Sequence, residues 1–315
     1  MTLDQKLASN GGAPAPRRSA ARTTRATRAW RLAVVLALAL LPGLVDSADR
    51  LVVAWHPARL RVGDVSWLHL RGASDAAVIE GSVDDQPLTF FPYAGGHAAL
   101  LGLDIDMKPG VKVWRLAVLE PGLEPQRLTG KLNVVARKFA VQRLTVPPGM
   151  AEPDPETERR AEAEGRQLQM LYRTISPERL WRGAFVRPVA GTEAPTGFGA
   201  RRVINGKPRA PHGGADYSVA LGTPVVAANA GRVALVAEYF FPGRLVAVDH
   251  GLGLHTLYFH LDTVAVTEGE RVDRGQTLGT VGATGRATGP HLHFGAQLGG
   301  ARIDPATLLG LRLTD

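Results

Sequence analysis

Two long tracts of this chain read as β-strands, the first by polarity that alternates with a period of two, and that pattern constrains the fold more than any other feature. In RLTGKLNVV, Leu128, Leu132 and Val134 fall on one side while Arg127, Thr129, Lys131 and Asn133 fall on the other. Successive side chains of a strand point to opposite faces of a sheet, so this run has one buried and one wet face. VKVWRLAVL and VSWLHLRG behave alike, and VDDQP and MKPG supply turns between runs. Residues 48–146 therefore read as a small antiparallel β-sandwich. The second tract, 185–315, holds PVVAANA, RVALVAEYF, RLVAVDH, LHTLYFHL, TLGTVGA and HLHFGAQL, divided by glycine-containing turns. It reads as a mostly antiparallel β domain with strongly bent sheets. The expected fold class is mainly β, with a helical linker between the two tracts.

That linker, 147–184, begins with the proline-rich joint VPPGMAEPDPE. Asp154 can cap a helix and Pro155 fits its first turn. Glu156/Arg160 and Glu162/Arg166 sit four apart on an exposed face. Leu168, Leu171, Tyr172 and Ile175 form an apolar stripe suited to packing against a domain. SPERLW is expected to start another short helical turn, with Ser176 as its cap.

The net charge of +8 is concentrated at one end. Residues 1–47 hold seven basic residues against Asp4 and Asp46, and the remainder holds 30 basic against 27 acidic. With most of the excess in a leader, a nucleic-acid partner is not expected. After the arginines comes LAVVLALALLPGLV, residues 32–45. Fourteen apolar residues fall short of the about 20 that a membrane span needs. Residues 1–47 thus read as a secretory signal peptide, which implies a periplasmic or otherwise exported protein. An uncleaved anchor is the alternative, and membrane contact would then come only through the leader. The chain has no cysteine. Thiolate nucleophiles, thiolate metal sites and disulfides are all excluded, so any metal must be held by His, Asp or Glu.

Six of the nine histidines lie in the second tract: His212, His250, His255, His260, His291 and His293. In HLHF, His291 and His293 point to one face, while Leu292 and Phe294 point to the other and hold the strand on a core. In LHTLYFHL, the same alternation puts Thr256, Tyr258 and His260 on one face and Leu257, Phe259 and Leu261 on the other. In PHGGADY, His212 and Asp216 would stand about 13 Å apart on an ideal strand, but Gly213 and Gly214 allow a bend that brings them together. Two imidazoles and one carboxylate are a set that holds catalytic zinc, with a fourth position left open. Such an ion activates water near neutral pH and polarises a carbonyl. Remaining histidines can move protons or hydrogen-bond a developing oxyanion. His56, His69 and His97 share no spacing and read as ordinary sandwich residues. His250 reads as a turn residue and His255 as structural or surface. Tyr258 has two readings, packing or a hydrogen bond to substrate. Arg201 and Asn205 either line a cleft or sit in a solvated loop.

At these residues the chain resembles the lysostaphin/LytM-type zinc metallopeptidases, which cut peptidoglycan cross-links. FGARRVINGKPRAPHGGADYSVALGTPVVAANAGRV is similar to the first metal segment of that family, VAVDHGLGLHTLYFHL to its Tyr-x-His-Leu segment, and VDRGQTLGTVGATGRATGPHLHFG to its closing segment. The resemblance covers about residues 195–307. It implies a metallopeptidase domain with a cleft, Zn2+ held by His212, Asp216 and His293, and catalytic roles for His260 and His291. It also implies peptidoglycan peptides as substrate, cut by metal-activated water with a histidine as general base. A non-catalytic, wall-associated regulator of other hydrolases is the alternative, and protein regulators are compatible with either reading. EGERVDRGQTLGTVGA has the hairpin shape of lipoyl-type carriers, but the last lysine is Lys207, so a carrier function is not expected.

Overall fold

The alternation in Gln126–Val135 becomes a strand whose Leu132 and Val134 are buried and whose Lys131 and Asn133 are exposed. It pairs antiparallel with Gly110–Leu119, placing Leu116 opposite Leu128 and Lys112 opposite Leu132. These two strands join Leu60–Arg61, Val78–Val83 and Gln86–Pro87 in a five-stranded sheet. A four-stranded sheet faces it, in the order Val52–His56, Val65–Arg71, Gly96–Gly102, Phe90–Pro92. Leu68, Leu70, Ala99 and Leu101 of one sheet share a core with Leu116, Val118, Leu132 and Val134 of the other. The structure, a computed structural model, describes residues 51–193 and 195–313. The leader expected at 1–47 lies outside the described residues.

All seven residues of Gly96–Gly102 are buried, because their sheet is covered on both sides. Ala99 and Leu101 face the sandwich core. Ala98 and Leu100, with Val65 and Phe91, face a second core containing Trp181, Phe185, Tyr258, Phe294 and Leu308. A strand sandwiched in this way reads as a continuous apolar run, not as an alternating one. Polar ties cross the same junction. Arg302 pairs with Asp104 at 2.8 Å and Arg137 with Asp304 at 2.7 Å, and Asp304 also caps the last helix, Pro305–Leu309.

The second β region is a nine-stranded sheet built from antiparallel pairs. Its main path runs Gly214–Tyr217, Leu292–Leu298, Leu254–Val264, Gly243–Asp249, Gly231–Tyr239, Arg271–Val272. Register shifts interrupt several of these pairs, which is how the sheet bends. A separate small sheet joins the two halves of the chain: Val141–Leu144 pairs in parallel with Arg201–Ile204, and Lys207–Pro208 closes it.

The linker helix spans Pro155–Tyr172, capped as expected by the Asp154 carboxylate, which accepts from the backbone N–H of Glu156 and Thr157. Leu168 and Tyr172 pack on Ala247 and Leu257. Ile175 lies past the helix and is exposed. Arg160 pairs with Glu164 at 2.6 Å and not with Glu156, because Glu164 is anchored by the backbone N–H of Phe240. The helical turn expected at SPERLW does not form. The Ser176 hydroxyl bonds the Asp249 carboxylate and its carbonyl accepts from Leu252, so the segment is tied to the sheet without forming a helical turn. Among the described residues no helix is long and apolar enough to cross a membrane.

Candidate metal centre and cleft

Asp216 and His293 are direct cross-strand partners, since Gly214–Tyr217 pairs with Leu292–Leu298 in that register. Both side chains leave the same face of the sheet, and His293 Nδ1 lies 3.0 Å from Asp216 Oδ1. His212 precedes the strand. The chain bends at Gly213 and runs beside residues 196–200, with His212 N–H donating to Ala200 and Gly199 N–H donating to His212. An ideal strand would set the two residues about 13 Å apart along the chain; here His212 Nε2 lies 3.1 Å from Asp216 Oδ1. His212 Nε2 also lies 2.8 Å from His293 Nδ1. Gly214 is obligatory here: a Cβ on it would stand 2.6 Å from His293 Nε2 and from the Phe294 carbonyl.

Three acceptor atoms 2.8–3.1 Å apart repel one another unless a cation or a proton lies among them. Donors around a tetrahedral zinc, each about 2.0–2.1 Å from the ion, lie only slightly farther apart. The donor chemistry fits too. His212 Nδ1 is 3.0 Å from the Gly197 carbonyl, which can only accept, so the neutral ring keeps its proton there and offers the Nε2 lone pair inward. Among the described residues, His212, Asp216 and His293 are the group able to converge on one ion. Burial alone would raise the Asp216 carboxyl, but the His212 and His293 rings beside it hold it well below the usual carboxylate range. Burial pushes His293 down to about 4.

His260 and His291 stand beside this triad. Their ring centroids are 4.7 Å apart, and His260 is 6.1 Å from His293. Each imidazole is oriented through Nδ1 by a backbone carbonyl at 2.8 Å: Thr284 for His260 and Gly289 for His291. Each neutral ring therefore leaves Nε2 unprotonated. Burial, reinforced by His293 and His291, pushes His260 down to about 3, so it is neutral at physiological pH.

The five expected residues thus come together, but the strand alternation expected around His260 does not hold. Val246 pairs with Tyr258 and Arg244 with Leu261, so a single residue opposes both Phe259 and His260. This is a β-bulge, and His260 sits in it at φ +62°, with its N–H on the Pro242 carbonyl. The bulge turns His260 onto the face that Leu257 and Phe259 occupy. Tyr258 points into the core, where its hydroxyl accepts from Ala228 N–H, so packing is the correct one of its two readings. Phe259 pairs with His293 and stacks on it at 5.2 Å and 12°, walling the metal site. The alternation rule had assigned Phe259 to the core.

The other histidines stay apart from the cluster. His250 is fully buried, bonded to the Ala230 carbonyl and to Thr256. His255 is buried beside Thr174 and Asp249. Arg201 pairs with Asp106, and Asn205 holds the Val146 backbone through both amide atoms, so neither lines the cleft. The neighbouring Arg202 does, with its guanidinium 4.0 Å from Asp216 Oδ2. Arg286 is a second cleft residue with no motif to announce it. The cleft itself, about 830 Å³, runs from His260 and His293 to the helix Pro155–Tyr172.

Comparison with known proteins agrees with this geometry. Residues 210–305, which contain all five residues, match the model of peptidase family M23. Peptidoglycan DD-endopeptidase ShyC of Vibrio cholerae is 39% identical over 133 residues, 41% of this chain and 30% of that protein. Peptidoglycan DD-endopeptidase ShyA of the same organism is 42% identical over 85 residues, 27% of this chain and 20% of that protein. The chain therefore matches only about a fifth to a third of the length of these curated relatives. A crystal structure of a putative peptidase M23 from Pseudomonas aeruginosa is 31% identical, with a TM-score of 0.63, and the match covers 80% of this chain and 96% of that one. With the His-Asp-His triad, the paired imidazoles and this near-complete structural counterpart together, the chain belongs to peptidase family M23.

Proposed function

We propose that this chain is an exported, zinc-dependent endopeptidase that hydrolyses peptide cross-links of peptidoglycan and works in the periplasm. The carrying observation is the convergence of His212, Asp216 and His293 within 2.8–3.1 Å beside two further imidazoles at the end of an open cleft. The names of the V. cholerae relatives support the substrate class, and the apolar leader supports export. When bound by these three residues, zinc supplies the Lewis acidity that activates water and polarises a carbonyl.

The chain's own groups do the rest. The Nε2 atoms of His260 and His291, unprotonated in the neutral rings, accept the proton of the attacking water, and the ring that takes it returns it to the leaving amine. Before returning that proton, the protonated ring can hydrogen-bond the oxyanion that develops on the scissile carbonyl. The carbonyls of Thr284 and Gly289 fix both rings before substrate arrives, so little reorganisation accompanies the reaction. Phe259 and the buried strand behind it shield the triad from bulk water.

The test is mass analysis of cross-linked muropeptides after digestion with the purified protein, with and without chelator. Zinc-dependent loss of cross-linked dimers is expected, and the masses of the products identify the bond. Dimers unchanged at saturating zinc would refute the proposal.

A further inference from the structure

The cleft carries a concentration of guanidinium groups that the metal site does not account for. Arg202, Arg209 and Arg286 line it together with His260 and His293. Arg202 and Arg286 also line the smaller hollow beside His291. Other cations near the cleft have carboxylate partners. Arg302 holds Asp104 and Asp106, each at 2.8 Å, Arg201 holds Asp106, and Lys207 holds Glu152. The three cleft arginines are different. The nearest carboxylate to Arg202 is Asp216, at 4.0 Å, and that group belongs to the metal triad. Arg209 bonds the Ala151 carbonyl at 2.9 Å, and Arg286 reaches the Met150 carbonyl at 3.5 Å. Among the described residues neither has a carboxylate within ion-pair distance.

Arg286 is also held in place. Its guanidinium lies 4.0 Å over the ring of Phe241, and its backbone N–H donates to the Phe241 carbonyl. Burial, together with the charges of Arg202 and Arg209, pushes it down to about 10. Partly buried like charges without counter-ions are costly, and an arriving anion relieves that cost. Guanidinium groups bind carboxylates through paired N–H donors in a fixed plane. Of the acidic groups of the cleft, Glu158 and Glu162 come from the helix Pro155–Tyr172, and Glu152, before the helix, is paired with Lys207.

We infer that Arg202, Arg209 and Arg286 form a carboxylate subsite, which selects peptides bearing a free carboxylate on the carbon attached to the scissile nitrogen. The inference rests on the proposed peptidase function, because a peptide substrate is what brings such a group into this cleft. An amidated or chain-extended carboxylate at that position loses the charge and the paired acceptors together, so it is a poor ligand. That carboxylate occurs on the diamino acid of a cross-link and on the last residue of an uncross-linked stem. The subsite recognises the shared group.

The test uses the full chain loaded with zinc and two pairs of peptides, one cross-linked and one linear, each pair differing only in whether that carboxylate is free or a carboxamide. Versions with the scissile amide reduced to a methylene-amine are titrated by calorimetry, and the hydrolysable versions are assayed for cleavage. The free acid is expected to bind about 10- to 100-fold more tightly than the amide, the range for a charge-assisted hydrogen bond. Preference in the cross-linked pair alone, or in the linear pair alone, assigns the source. Arg286→Gln and the more exposed Arg209→Gln should each shrink the ratio, and Arg286→Lys should retain part of it, while thermal melting reports any loss of fold. Equal binding of acid and amide by the wild-type chain, or an undiminished ratio in both Gln variants, overturns the subsite. A preserved binding preference with no cleavage of any peptide overturns the peptidase reading and leaves the subsite standing.

Discussion

Replacing Gly197 by alanine tests whether the metal site depends on the backbone that orients its first ligand. Gly197 has φ +89°, and a Cβ there would stand 3.0 Å from His212 Nδ1 and 3.4 Å from Cε1. Two effects follow. The left-handed backbone costs an alanine about 1–2 kcal/mol. The His212 ring must also give way by a few tenths of an ångström, which disturbs the Gly197 carbonyl contact that fixes its tautomer. Losing such support around a metal-binding histidine weakens affinity about 10- to 100-fold. Gly206→Ala is the control. It has φ +81° with nothing within 4 Å of the added Cβ, so it carries comparable backbone strain without the contact. Zinc affinity is read by competition with a chromophoric chelator, and stability by thermal melting of the metal-free protein. Both variants should melt a few degrees lower, but only Gly197→Ala should bind zinc more weakly. Zinc affinity of Gly197→Ala within twofold of wild type, or an equal loss in Gly206→Ala, would refute the reasoning.

Three further outcomes are expected. His293→Ala should lose zinc and activity together, whereas His291→Ala should keep most of its zinc and lose activity about 10²- to 10⁴-fold; zinc content and muropeptide turnover, measured side by side, check the division of roles. His250, fully buried and about 4 in the folded protein against 6.5 when exposed, is protonated first in the unfolded chain as pH falls. Its contribution is therefore complete above pH 6.5 and lost towards pH 4, at about 1.4 kcal/mol per pH unit. Urea unfolding across that window should show a shallower pH dependence in His250→Gln, and identical slopes would contradict it. Asp304→Ala removes both a helix cap and the partner of Arg137, and should cost about 2 kcal/mol in urea unfolding without changing zinc content.

The candidate site was legible in the sequence to the extent that its strands are regular. Leu292 and Phe294 flank His293 in unbroken alternation, so the face of each residue followed from its position. Asp154 and Pro155 gave away the helix start because capping is a local interaction. His260 was named as a candidate catalytic residue through the resemblance and does stand beside the triad, but its bulge depends on register against Gly243–Asp249 and leaves no mark in the alternation. The same bulge hid Phe259 behind an apparent core assignment and made Tyr258 a candidate for the cleft. Ser176 failed as a cap because Asp249, far along the chain, takes its hydroxyl. Arg202 and Arg286 carried no local signal either. Between the adjacent Arg201 and Arg202, only the tertiary position of Asp106 decides which is neutralised and which enters the cleft.

The parallel pairing of Val141–Leu144 with Arg201–Ile204 bears on how this protein can be dissected. The strand leading into the His212 loop borrows its hydrogen-bonding neighbour from a segment some sixty positions upstream. A fragment trimmed to begin at residue 185 would leave that border bare and would strip Leu144 and Val146 from Ile204, offering a ready surface for mispairing with another copy. Excision for biochemistry should therefore retain everything from Val141 onward, and its yield of soluble material reports on how far the hydrolytic half relies on its predecessor.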